Sequence, residues 1–342
     1  MARSLYTSRL NLRAFRLEDA PDIVAGLSDF ETTRWLGRAP HPYRMSDAMA
    51  FLERSMTSDL VWAIEDARGF AGMIGMVGEL GYWISPHARG HGYVFEAAHL
   101  LVARHFADPR VLDLAAGYFI GNGASARILH RLGFQPDGAP DKRLSVAWGS
   151  LRPHQPLRLS RSDWAARAVP RLITDRLEIT PLKSTDAGAF HRLVTLPEVG
   201  RMLQIFPADW SLPEAQGFVA RAAWQAARPC RLALRREGRL IGSIGIGLGD
   251  CPHLFYFLDP AHSGQGLMGE ALASFIAWLE SFWGLRQLQA RVFTDNPASR
   301  HLLEKAGFRH TGSGRGQSAQ RDRSAPDWEM CYTAPDPVFH CP

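Results

Sequence analysis

Residues 80–134 lie on residues 254–308 without a gap, at a constant offset of 174, and 17 of the 55 pairs are identical. A repeat of that length is a whole domain rather than one unit of a solenoid, so the chain is expected to hold the same domain twice. The start of each half agrees. Thr7-Ser8-Arg9-Leu10-Asn11-Leu12 returns as Thr174-Asp175-Arg176-Leu177-Glu178-Ile179, and Asp19-Ala20 returns as Asp186-Ala187. With 342 residues and 46% hydrophobic content there is enough chain for two well-filled cores. The division is expected at 1–165 and 166–342, with 162–171 as the connection.

Each half reads in the same order. An alternating strand (10–15, 177–182) leads into a helix opened by Glu18-Asp19 or Thr185-Asp186, acids that suit the positive end of a helix. A second helix is expected over 47–56, and from Ser211-Leu212-Pro213-Glu214, whose Ser-x-x-Glu spacing is a capping box. Short apolar strands (61–64, 232–234) turn into Gly72-Met73-Ile74-Gly75 or Gly242-Ser243-Ile244-Gly245. A further strand, a long helix, another strand (112–119, 288–293) and a helix ending at Gly133-Phe134 or Gly307-Phe308 follow. Glycine is what a left-handed helix C-terminus favours. Strands near 144–148 and 157–159 close the first half. A polar, glycine-rich loop over 311–323, a strand over 328–332 and a proline-broken tail close the second. The order predicts a mixed α/β fold: two domains, each a largely antiparallel sheet flanked by helices.

The stretch with chemical content runs Glu79-Leu80-Gly81-Tyr82-Trp83-Ile84-Ser85-Pro86-His87-Ala88-Arg89-Gly90-His91-Gly92. It returns as Leu254-Phe255-Tyr256-Phe257-Leu258-Asp259-Pro260-Ala261-His262-Ser263-Gly264-Gln265-Gly266. A strand, a Gly-x-Gly turn and a helix in that order suit a phosphate, because glycine lets backbone approach and the helix supplies unpaired N–H groups. Asn122 and Asn296 read as helix N-caps with Ser125 and Ser299 in the first turn, and Pro297 fits the first helical position.

Composition narrows the partners. The formal charge is +5 and the pI about 9.2, but lysine occurs only at Lys142, Lys183 and Lys305 and the arginines are spread through both halves. That spread argues against DNA or RNA as the main ligand. Cys230, Cys251, Cys331 and Cys341 form no Cys-x-x-Cys pair, so no metal site and no disulfide framework are expected. No apolar run reaches the roughly 20 residues of a membrane span, and Met1-Ala2-Arg3-Ser4-Leu5 lacks a signal peptide's apolar core. A cytoplasmic protein, monomer or homodimer, is the expectation.

Three blocks occurring in both halves resemble the GNAT superfamily of acyl-CoA-dependent N-acetyltransferases, and within it the RimJ/RimL-type branch. They are Thr-x-Arg-Leu, Pro-x-x-x-Gly-x-Gly-x-x-x-Glu-Ala, and Asn-x-x-Ser ending in Gly-Phe. The resemblance covers nearly the whole chain. It departs where the family's loop often begins with Gln or Arg, here His87 and Ala261, although Arg89 is present in the first copy.

The resemblance implies acetyl-CoA as cofactor and a primary amine as acceptor, on a protein N-terminus (ribosomal proteins included) or a small molecule. It implies cofactor contacts from Trp83, Ile84, His87, Ala88, Arg89, Gly90, His91, Gly92 and Asn122. In the second half it implies Phe257, Leu258, His262, Ser263, Gly264, Gln265, Gly266 and Asn296. Backbone N–H groups around Ile84 and Leu258 would polarise the thioester carbonyl, and Ser125 and Ser299 would protonate the departing thiolate. Glu79 is a candidate base or a solvated strand-end carboxylate. His253, at the matching place, is a base or a structural side chain. The family's general-acid tyrosine positions hold Leu129 and Leu303. Trp35, Tyr43, Phe206 and Trp210 lie where an acceptor would be recognised, and equally where aromatics cap a core; nearby arginines lean towards a carboxylate- or phosphate-bearing acceptor. Two other functions stay open: a CoA-responsive scaffold with one or both domains inactive, the second half being the natural passenger, and a ribosome- or RNA-associated factor.

Overall fold

The computed structural model describes residues 4–335, so Cys341 and the end of the tail lie outside it. In the first half the strands are β1 Ser4–Tyr6, β2 Asn11–Arg13, β3 Val61–Asp66, β4 Gly69–Met76, β5 Leu80–Ile84, β6 Asp113–Phe119, β7 Gln135–Pro136, β8 Asp141–Ser145 and β9 Ser150–Ser160. The helices are α1 Ala20–Leu27, α2 Phe30–Thr33, α3 Met45–Ser55, α4 Tyr93–Ala107, α5 Gly123–Leu132 and α6 Arg161–Arg167. One sheet takes all nine strands in the order β1-β2-β3-β4-β5-β6-β9-β7, with β8 also on β9. Every pairing is antiparallel except β5 with β6.

The second half repeats the plan. Its strands are β10 Leu172–Ile173, β11 Glu178–Pro181, β12 Cys230–Arg236, β13 Arg239–Ile246, β14 Leu254–Leu258, β15 Gln287–Phe293, β16 Arg309–Gly316 and β17 Ala325–Thr333. Its helices are α7 Ala187–Thr195, α8 Pro197–Gly200, α9 Leu212–Arg221, α10 Leu267–Trp283 and α11 Pro297–Lys305. Here the sheet is divided into β10-β11-β12-β13-β14 and β15-β17-β16, joined by a single parallel bridge, His253 to Gln289.

The capping box appears as expected: Ser211 N–H donates to Glu214 at 2.7 Å. Four expectations need correction. Residues 146–149 are not strand but the turn between β8 and β9, with Gly149 left-handed at φ +61°. Proline at Pro153 and Pro156 hides β9, a strand of 11 residues. The expected loop over 311–323 begins as β16, because Gly314 and Gly316 leave room for the Arg291–Asp327 pair beneath them: a Cβ on Gly314 would meet Arg291 Nη2 at 2.8 Å. Lastly, the connection opens as α6, since Ser160 Oγ accepts from Asp163 N–H at 3.1 Å and caps it.

A buried ion pair anchors the start of each sheet. Arg13 on β2 donates to Asp19 at 2.9 and 2.7 Å. In the second half Thr180 stands in its place and the guanidinium comes from Arg235 on the neighbouring strand, reaching Asp186 at 2.8 and 2.6 Å. The carboxylate stays put while its partner has changed strands.

The halves pack through α4 and α10 in one continuous apolar core. Trp164 stacks on Phe282 with centroids 6.2 Å apart, and His99 sits against both rings. Polar ties reinforce the seam: Arg104 donates to the Trp283 carbonyl at 3.0 Å, and Arg228 N–H to the Ala107 carbonyl at 2.9 Å.

Candidate active site

After β5 the chain makes one 3₁₀ turn, Pro86–Ala88, and enters α4 through Gly90 and Gly92 at φ +81° and +78°. Gly264 and Gly266 lead into α10 at +73° and +75°. This left-handed backbone is what glycine adopts freely, and it leaves the first N–H groups of each long helix facing the turn. The turns share one brace. Glu96 of α4 accepts from Arg9 Nε at 2.9 Å, and Glu270 of α10 accepts from Arg176 Nε at 2.7 Å. Arg176 also donates to the Gln265 carbonyl at 2.8 Å, inside the glycine turn. Two of the three repeated sequence blocks are thus the two ends of one ion pair.

Beside the turn the sheet opens. Among the described residues β5 pairs with β6 only at Leu80–Ala116, and the one bridge to β15 in the other half is His253–Gln289, just before β14. Ser85 N–H donates to Ala71 on β4, and Asp259 N–H to Ile241 on β13, at 2.8 and 2.7 Å. Alternation along an antiparallel edge turns the preceding N–H groups, those of Ile84 and Leu258, the other way, into the gap. At the far side Asn122 and Asn296 cap α5 and α11 by accepting from Ser125 and Ser299 N–H, both at 3.1 Å. Those serines meet a strand tyrosine: Tyr82 Oη lies 2.9 Å from Ser125 Oγ, and Tyr256 Oη 2.6 Å from Ser299 Oγ. Burial pushes both phenols up to about 12, so each is a protonated hydrogen-bond donor at neutral pH.

The first-half candidates divide. Glu79 is held by Arg143, whose Nη1 donates to both its oxygens at 2.9 and 2.8 Å. Arg89 is turned to α2, donating to Asp29 at 2.8 Å and to Thr32, which holds the Asp29 carboxyl below the usual range. His87 is exposed, Ala88 is buried, and His91 stacks on Tyr93 at 5.3 Å. Trp35 rests against Gly121, next to Asn122. Trp83 and Tyr43 point away into the core, only 6% and 8% exposed, and Gly26 makes room for the Trp83 ring.

The second-half candidates converge on one cavity of about 1430 Å³. His253, Phe257, Leu258, His262, Ser263, Gly264, Gly266, Asn296, Ser299 and Phe206 all line it. His253 is exposed at its rim. Phe206 and Phe257 contribute from a packed aromatic cluster that also takes Trp210. Gln265 is anchored by Arg236 at 2.8 Å.

Sequence reasoning missed four residues. Tyr82 and Tyr256 are identical in the repeat, which was the available signal. Arg143 lies 64 residues from Glu79, and Arg231 reads as an ordinary strand residue.

The profile of the acetyltransferase (GNAT) domain matches residues 9–135 and again 176–309. An uncharacterized N-acetyltransferase of Bacillus subtilis, YoaA, is 31% identical over 151 residues, 42% of this chain and 85% of that protein. A probable N-acetyltransferase of the same organism, YjcK, is 34% identical over 84 residues, 23% of this chain and 46% of its own length. Among solved structures, a GNAT-family acetyltransferase from Bacillus anthracis is 17% identical with a TM-score of 0.42, over 48% of this chain and 98% of its own. RimJ of Mycobacterium smegmatis, in complex with CoA-disulfide, is 20% identical with a TM-score of 0.43, over 48% and 87%. With the domain matched over most of the chain, in two copies, this protein belongs to the GNAT acetyltransferase family.

Proposed function

We propose that the chain transfers an acetyl group from acetyl-CoA to a primary amine by direct attack in a ternary complex, with residues 166–342 as the working domain and 1–165 as its duplicate. The observation that carries this is the second-half cavity, which gathers a glycine turn, an outward-facing strand N–H and a tyrosine–serine pair in one space. The residues fit the cofactor: left-handed glycines at the start of a 17-residue helix offer backbone amides to a diphosphate.

When bound, acetyl-CoA supplies the thioester, whose C–S bond breaks as the amine nitrogen bonds to the carbonyl carbon. Leu258 N–H donates to the carbonyl oxygen as charge develops there. Ser299 gives its proton to the departing sulfur and is resupplied through Tyr256. His253, at the rim, or water takes the proton lost by the amine; model amines titrate near ~8 to ~10, so this step is needed at neutral pH. The acceptor amine belongs to a protein N-terminus or a small molecule.

A second reading applies to the first half alone, binding CoA without turnover, because Arg143 occupies the carboxylate of Glu79. Release of CoA measured with a panel of peptides and small amines tests the assignment, with Ser299→Ala and Ser125→Ala reporting on each half. Acetyl transfer abolished by Ser299→Ala supports it; transfer unaffected by both substitutions overturns it.

A further inference from the structure

Arg231 lines the same cavity, and the transfer chemistry leaves it unused. It sits at the start of β12, opposite Gly245, which in turn pairs with Phe255 on β14. Its guanidinium lies 4.2 Å from the centre of the Phe255 ring, and 5.7, 5.9 and 5.7 Å from Phe190, Phe206 and Phe218. The box is built for this: a Cβ on Gly245 would lie 2.4 Å from the Phe255 ring, so only glycine lets that ring lie across the sheet. Four rings compensate a charge in an apolar place but accept none of its N–H groups in the plane of the guanidinium. Its one polar contact among the described residues is long, 3.4 Å to Ser243 Oγ, whose own proton goes to the Leu232 carbonyl at 2.8 Å. Among the described residues no carboxylate pairs with it, whereas Arg201, Arg235 and Arg291 each hold one. Burial pulls the guanidinium down to about 9, and it remains a cation at neutral pH. The matching place in the first half holds Val61, across from Gly75 and Gly81, so the box belongs to the second half.

A desolvated guanidinium facing a cavity, with its donor fork unused, has one chemical complement: a planar or tetrahedral oxyanion. The Phe255 face of β14 is opposite the face that carries Tyr256, since successive side chains alternate. A group held by Arg231 would therefore sit across the strand from the tyrosine–serine pair, on the side of α7 and α9. We infer that the second-half cavity selects an amine acceptor carrying an anionic group, a carboxylate or a phosphate, and that Arg231 in its phenylalanine box is the residue that binds that group. This rests on the acetyltransferase reading of the same cavity.

The test is calorimetric binding to the full chain saturated with CoA, using matched probes. Glycylphenylalanine against glycylphenylalaninamide reads the carboxylate, and phosphoethanolamine against ethanolamine reads the phosphate. The member of at least one pair that carries the anionic group should bind about tenfold or more tightly than the partner that lacks it, and Arg231→Met should remove that ratio while CoA affinity stays within about twofold. The pair that shows the preference identifies the anion. Arg231→Lys, which keeps the charge, should retain part of the ratio and serves if the methionine variant does not fold. Equal binding within both pairs, or a preference that survives Arg231→Met, overturns the inference. Failure of the unaltered chain to bind CoA would instead remove the acetyltransferase reading beneath it.

Discussion

Arg176 donates to Glu270 at 2.7 Å and, with another nitrogen, to the carbonyl of Gln265 at 2.8 Å, tying the turn between β10 and β11 to the glycine turn. The pair is partly exposed, so its share of global stability is about 1 kcal/mol or less. Its effect is on the turn. Glu270→Gln should weaken CoA binding by about tenfold, the loss expected when a preorganised loop must be reordered on binding, with little change in melting temperature. Titration calorimetry beside a thermal melt checks both; unchanged affinity would reduce the brace to a structural contact.

Tyr256 and Ser299 are predicted to act as one unit. Tyr256→Phe and Ser299→Ala should each lower turnover by about 10²-fold or more, and the double variant little further, while the CoA dissociation constant stays within about threefold. Steady-state kinetics on both singles and the double give the comparison. In the first half, Ser125→Ala with Glu79→Ala should leave second-half turnover intact, and a large loss there would move the chemistry to the other domain.

Asp186 is buried against Arg235. Removing the carboxylate strands a cation in the interior, so Asp186→Ala should cost about 3–5 kcal/mol in urea unfolding. A cost below about 1 kcal/mol would mean that water reaches Arg235.

His99 makes the packing of the two halves sensitive to acid. Burial lowers its pKa, with Arg131 adding to the effect. The unfolded chain therefore takes up this proton first as pH falls, near ~6.5, and the folded chain only later. The stabilisation is complete above that value and is lost as pH drops towards the folded pKa. The melting temperature should fall more between pH 7 and 5 in the unaltered protein than in His99→Leu. Parallel curves would contradict this.

Much of this arrangement was legible from residues alone. The repeat displayed the glycine turns, the asparagine caps and the serines because each is a local device whose residue type is fixed by backbone geometry. The Ser211 capping box could be read for the same reason. What escaped depends on contacts distant in sequence. Arg143 reaches Glu79 across 64 positions, and the Arg231 box draws on α7, α9 and β14 at once. Pro153 and Pro156 hid β9 since proline usually argues against a strand inside a sheet. Glycines at 312, 314 and 316 made β16 look like loop, although two of them provide room for side chains of the neighbouring strands.

Calorimetric titration of CoA into the full chain tests the central claim most directly, run beside the double variant Gly90→Val/Gly266→Val. Saturable binding by the unaltered protein, lost when one left-handed glycine of each turn is replaced, is the predicted result. No detectable uptake of CoA by the unaltered protein would contradict it.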